Sequence, residues 1–221
     1  DSIRNGWVQK MAEEGERQGL IRRLSEEERR ASRAHALATA PDLDNLWVFA
    51  YGSLMWNPAF HYAERRMARI YGYHRAFCLH TVIGRGTPEQ PGLMLGIDRG
   101  GSCQGIAYRL HPDQAEEEMD IIWAREMVTG SYTPRWVNLH GEEGVCPGIA
   151  FVIDRHHDRY VSGLDLDQVV HRLATATGPL GPCREYLENL VIELDKLGVA
   201  DGPMHALQDM VAARIEASGG D

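Results

Sequence analysis

The chain has 221 residues, of which 43% are hydrophobic and 25% charged, enough apolar side chain to bury a core and too much for global disorder. Lys+Arg number 23 against Asp+Glu 32, a net charge of −9, so the basic footprint of a nucleic-acid binder or a peripheral membrane protein is missing. No apolar run is long enough to span a bilayer, and the charged N-terminal stretch has no apolar core of a secretory signal, so a cytoplasmic chain is expected.

Residues 1–45 read as a helical, highly charged extension. Trp7 and Met11 stand four apart, and Leu20, Ile21 and Leu24 form a second apolar patch at helical spacing. Ser25 followed by Glu28 is a capping-box pattern, which predicts a helix from about Glu26 toward Ala38, ended by Pro41. This segment is expected to pack on the main domain or on a second subunit. The main domain is expected to occupy residues 46–221.

From Leu46 the texture becomes strand-like. Leu46–Tyr51, His74–Val82, Leu93–Asp98, Cys103–Leu110, Ser131–His140 and Gly148–Ile153 are strand candidates separated by Gly- and Pro-bearing turns. Helical patterns cover about Pro112–Val128, Leu166–Ala176, Pro182–Leu197 and Pro203–Ala217, with prolines suited to first turns and Gly130, Gly178 and Gly198 suited to exits. Strands come first with one inserted helix, and helices follow. That order points to an α+β fold with a mostly antiparallel, barrel-like sheet rather than a βαβ repeat.

Several chemistries are poorly supported. The four cysteines, at 78, 103, 146 and 183, form no Cys-x-x-Cys pair and read as free core thiols. The ten histidines form no His-Glu-x-x-His pair, and His156-His157-Asp158 is a polar stretch whose adjacent side chains diverge, so no metal site is expected. Gly84-Arg85-Gly86 is not a dinucleotide loop, and Ser53 lacks the flanking pattern of a nucleophile elbow. No cofactor is expected.

Two features remain. In Phe49-Ala50-Tyr51-Gly52-Ser53-Leu54-Met55-Trp56 a strand runs into a Gly-Ser turn, which is either a plain strand cap or a nest of backbone N–H groups that binds an anion. In Trp123-Ala124-Arg125-Glu126-Met127, Glu126 falls on the same helical stripe as Met119, Ile122 and Trp123, near the negative end of its helix. Burial and the helix end both disfavour the ionised form, which suits general acid–base work near neutral pH; a structural pairing with a buried Arg or Tyr is the alternative. Arg125 is expected to point away from Glu126. The run Glu116, Glu117, Glu118 is expected to be mostly solvated.

Together these segments resemble the ChaC family, the glutathione-specific γ-glutamylcyclotransferases. The likeness runs in order through Trp47–Pro58, Tyr73–Phe77, Gly84–Thr87 with Pro91-Gly92, Gly105–Leu110, Trp123–Met127, Gly130-Ser131-Tyr132, and Gly178–Gly181 with Glu185-Tyr186-Leu187, spanning roughly two-thirds of the chain. The resemblance implies a compact β-barrel with surrounding helices and the cleavage of glutathione to 5-oxoproline and cysteinylglycine. It carries the catalytic role onto Glu126 and γ-glutamyl binding onto Tyr51, Gly52, Ser53 and Leu54. Against a net charge of −9, an anionic substrate needs local cations, for which Arg75, Arg85 and Arg184 are candidates, with ordinary salt bridges as the alternative. Tyr132 and Tyr186 are candidates to hydrogen-bond the substrate or Glu126. Other γ-glutamyl amines as substrates, or a non-catalytic binding module on the same scaffold, are the rival readings; the sequence says nothing of oligomeric state.

Overall fold

The computed structural model describes residues 7–218, so the Trp7 side chain of the expected Trp7–Met11 pair lies outside the described residues. Five strands close into a barrel in the order β1-β3-β2-β4-β5, where β1 is Trp47–Ala50, β2 Glu64–Thr81, β3 Gly92–Arg109, β4 Tyr132–Gly141 and β5 Gly144–Ile153. Pairing is antiparallel for β1/β3, β2/β4 and β4/β5, and parallel for β1/β5, at Val48↔Ile149. Among the described residues six helices accompany it: α1 Trp7–Arg17, α2 Glu26–Ala38, α3 Ala115–Glu126, α4 Leu166–Thr175, α5 Arg184–Lys196 and α6 Gly202–Ser218, with a small two-stranded pairing at Thr177–Gly178 and Gly181–Pro182.

Two expectations about strands change. Leu93–Asp98 and Cys103–Leu110 are one strand, β3, rather than two. Gly100 and Gly101 have φ of 106° and 68°, a backbone that glycine adopts without a Cβ penalty, and the strand continues through them where a turn was expected. The strand expected from His74 starts ten residues earlier, at Glu64; its first half opens on the charged run Glu64-Arg65-Arg66 and passes through Gly72, which reads as a turn, although Ala68 and Ile70 are buried in it.

The chain divides into two units, residues 1–75 with 96–157, and residues 76–95 with 158–221. In the first unit, β1 is buried at every position, and Val48 and Phe49 belong to a core that also includes Ile106, Met119, Ile122 and Phe151. Trp123 meets Phe151 edge to face at 5.0 Å. The capping box is formed as the sequence predicts: the Ser25 hydroxyl accepts from the Glu28 N–H, and the Glu28 carboxylate accepts from the Ser25 N–H. Helix α2 ends at Ala38, before Pro41. It is tied to this unit by Trp123 Nε1 donating to Ser32 Oγ at 3.2 Å, Trp136 Nε1 donating to Ala36 O at 2.9 Å, and an Arg33–Asp120 ion pair.

In the second unit, α4 carries its own capping box, Asp165 with Gln168, and α5 buries Leu187, Leu190, Val191 and Leu194. Cys183 is fully buried there and donates to Leu93 O at 3.0 Å; burial raises its pKa. All four cysteines are free thiols.

Candidate active site

The turn Tyr51–Trp56 follows β1 directly, and β3 runs close beneath it. A Cβ on Gly105 would lie 2.2 Å from Ala50 O, so only glycine lets the two backbones approach this far. Within the turn, Met55 N–H donates to Gly52 O at 2.8 Å and Asn57 N–H to Ser53 O at 2.9 Å. The backbone N–H groups of Gly52 and Leu54 have no acceptor among the described residues. Both residues are buried. Buried N–H groups are nearly always paired in folded proteins, so a pair of unspent donors in a Gly-Ser turn has the character of an anion nest.

The carbonyl side of the turn is spent. Arg75, 4% exposed, donates from Nε to Tyr51 O at 2.7 Å and from Nη2 to Gln104 O at 2.6 Å. The Tyr108 hydroxyl reaches Leu54 O at 3.3 Å and Met55 O at 3.2 Å, and the Tyr51 hydroxyl donates to Phe151 O at 2.8 Å. These bonds fix the turn from behind. The Arg75 guanidinium holds backbone carbonyls of the turn and of β3.

Glu126 is the last residue of α3, and its side chain keeps 15% exposure. Burial pushes its pKa above the usual carboxylate range, and the positive charge of Arg125 acts the other way. The expectation for Arg125 is corrected: its Nε lies 3.2 Å from Glu126 Oε1. Neighbours on a helix diverge by about 100° at Cβ, but a long side chain in the last turn has nothing beyond it to stop it curling back. The same guanidinium donates from Nη2 to Ser53 Oγ at 2.8 Å and from Nη1 to Asn57 O and Pro58 O. The next residue, Ala59, has φ of 60°, a left-handed conformation that costs a non-glycine residue roughly 1–2 kcal/mol.

Glu116 and Glu117 are exposed, as expected of the acidic run, and Glu118 is the exception. It is 3% exposed, and its Oε2 accepts the His61 N–H at 2.9 Å. Glu118, Ile122 and Arg125 follow at i, i+4 and i+7, so one stripe of α3 braces the loop after the turn. A run of three acidic residues conceals such a member, because composition does not tell which of them faces inward.

Tyr132 opens β4, half-buried, opposite Ile153. The second unit holds the other three candidates. Arg85 Nη1 donates to Pro182 O at 2.6 Å and to Glu185 Oε2 at 3.1 Å. Tyr186 is buried and meets Phe77 edge to face at 6.1 Å. Arg184 pairs with Glu188 at 3.8 Å. His157 Nε2 bonds Thr129 O at 3.0 Å, and among the described residues no cluster of three His, Cys, Asp or Glu side chains has the geometry to hold a metal.

Comparison with known proteins gives a consistent result. The family model described as ChaC-like protein matches residues 46–214. A glutathione-specific γ-glutamylcyclotransferase of Escherichia coli (strain K12) is 44% identical over 83% of this chain and 80% of its own. The γ-glutamylcyclotransferase 2-1 of Arabidopsis thaliana is 36% identical over 66% of this chain and 72% of its own. The crystal structure of a yeast γ-glutamyl cyclotransferase specific to glutathione aligns with a TM-score of 0.70 at 22% identity, covering 77% of this chain and 96% of that one, a likeness of fold.

Proposed function

The chain belongs to the ChaC-like family, and we propose that it is a glutathione-specific γ-glutamylcyclotransferase, which converts glutathione to 5-oxoproline and cysteinylglycine. One observation carries the reading. A single unit holds a helix-terminal carboxylate whose pKa is raised by burial and a turn with two unspent backbone N–H donors, joined through Arg125 and Ser53.

The substrate brings its own nucleophile. The α-amino nitrogen of the γ-glutamyl unit attacks its γ-carbonyl carbon, a C–N bond closes the five-membered ring, and the C–N bond to the cysteinyl nitrogen breaks. Intramolecular attack depends on orientation, which can contribute about 7–11 kcal/mol. A proton must leave the ammonium and arrive on the departing amine. Glu126 does both, and a carboxylate pushed up by burial is better matched to that exchange near neutral pH than an exposed one.

The amide oxygen becomes negative on the way. The Gly52 and Leu54 N–H groups supply fixed donors for that oxygen or for the α-carboxylate, and losing one such donor typically costs about 10²- to 10³-fold in rate. Tyr51 and Ser53 act as part of the same turn, with Arg75 fixing the Tyr51 carbonyl and Arg125 the Ser53 hydroxyl. Tyr132, Arg85 and Tyr186 enter the proposal on chemistry, as hydrogen-bond and charge partners for an anionic substrate. Residues 46–221 are read as the catalytic domain and 1–45 as its extension. The four free thiols suit the cytoplasm.

The test is incubation with glutathione beside a panel of γ-glutamyl amino acids, following 5-oxoproline and the released amine by mass spectrometry. Product from glutathione alone supports the reading. Product only from another γ-glutamyl compound moves the substrate and keeps the chemistry. A folded protein that releases no 5-oxoproline from any of them contradicts it.

A further inference from the structure

We infer that Arg125 is a positioning residue for this reaction, one guanidinium setting both where the Glu126 carboxylate sits and how the turn at Ser53 is held. The inference rests on Glu126 being the general base. Arg125 is 7% exposed on its side chain, and all three guanidinium nitrogens are engaged. Nε takes the Glu126 carboxylate at 3.2 Å, Nη2 takes Ser53 Oγ at 2.8 Å, and Nη1 takes the carbonyls of Asn57 and Pro58. One side chain therefore joins the end of α3 to the turn and to the loop after it.

An ordinary structural ion pair does not need this arrangement. The nearest approach is Nε to Oε1 at 3.2 Å; Oε2 has no hydrogen-bond partner among the described residues, which leaves it to meet a substrate proton. Arg125 is also the charged group that opposes burial at Glu126, since the residues of the turn, Tyr51–Trp56, carry no other charge. Lysine brings the same charge as one compact ammonium and cannot span three separated acceptors in a plane. Position and charge can thus be tested separately.

The variants are Arg125→Gln, Arg125→Lys and Ser53→Ala in the full chain, with Glu126→Gln alongside, each checked by circular dichroism and a melting curve. The measurement is kcat and KM for glutathione across pH. Arg125→Gln is expected to lower kcat by about 10- to 100-fold, the scale of a small misplacement of a reacting group, and to move the rising limb of kcat/KM to higher pH, because the charge that pulls Glu126 down is gone. Arg125→Lys is expected to leave that limb in place while kcat still falls about tenfold. Ser53→Ala, which cuts the Arg125 link to the turn, is expected to lower kcat/KM with the limb unmoved.

A folded Arg125→Gln with wild-type kcat and an unmoved limb overturns the inference. If that variant does not fold, Arg125→Lys and Ser53→Ala decide, and wild-type constants in both overturn it. An active Glu126→Gln would instead remove the general base itself, and with it the group that Arg125 is inferred to place.

Discussion

The turn after β1 and the loop after β2 look alike in sequence, each short, glycine-bearing and next to a hydroxyl residue, yet they are held in different ways. In the loop, Thr87 N–H donates to Gln90 O and Gln90 N–H to Thr87 Oγ, Gly84 O accepts from Leu180 N–H, and the Arg85 guanidinium is occupied by Pro182 O and Glu185. In the turn, two N–H groups are unspent while Arg75, Tyr108 and Arg125 hold carbonyls and a hydroxyl from behind. A loop whose guanidinium and backbone are tied to neighbouring residues of its own unit is a structural clasp. A turn braced from one side with donors left on the other is arranged to receive a ligand.

This contrast breaks most sharply at Glu126. Glu126→Gln is expected to lower kcat by about 10²- to 10⁴-fold, the usual contribution of a general acid–base, with KM little changed. Next comes the brace. Gly105→Ala puts a Cβ against Ala50 O and is expected to destabilise the protein by about 1–3 kcal/mol, read as a lower Tm, with a matching loss of kcat/KM as the turn shifts. Arg75→Met leaves the Tyr51 and Gln104 carbonyls without their donor, at a cost of about 1–3 kcal/mol for each buried group, and should lower Tm and kcat/KM together.

A pH comparison sharpens the picture at Glu126. Its folded pKa lies above the unfolded value, so its protonated form favours folding, and that contribution is lost as pH rises through the folded pKa. The Tm of Glu126→Gln minus that of wild type is therefore expected to grow as pH is raised. A difference independent of pH would mean that Glu126 is not titrating in this range. The smallest effect is expected at Arg85. Its partner Glu185 is 46% exposed, so Arg85→Ala should cost little stability, below about 1 kcal/mol from the pair. A substrate role would show as a rise in KM of about tenfold with kcat unchanged, the scale of one charge-assisted hydrogen bond. An unchanged KM assigns Arg85 to the clasp alone.

Much of the fold was legible because it is written in local chemistry. The Ser25–Glu28 box, the Gly198 exit and the periodic runs mark α2, the end of α5, β4 and α4 to within a few residues, while Gly178, expected to end α4, lies in a strand pairing instead. What was not legible depends on long-range packing. The charged opening Glu64-Arg65-Arg66 and Gly72 mask the first half of β2, whose Ala68 and Ile70 are buried, and Gly100-Gly101 reads as a turn although the strand passes through it. Glu126 was visible because it interrupts an apolar stripe. Glu118 and Arg125 were not, since one sits in an acidic run and the other acts through a side chain that folds back on its own helix.

The central claim is that one carboxylate at the end of α3 moves the proton that ring closure requires. Its most direct measurement is single-turnover release of 5-oxoproline from glutathione by wild type and Glu126→Gln, at saturating substrate, on preparations matched by circular dichroism. The account expects the burst of product to be lost in Glu126→Gln while glutathione still binds. Equal single-turnover rates in the two proteins would contradict it.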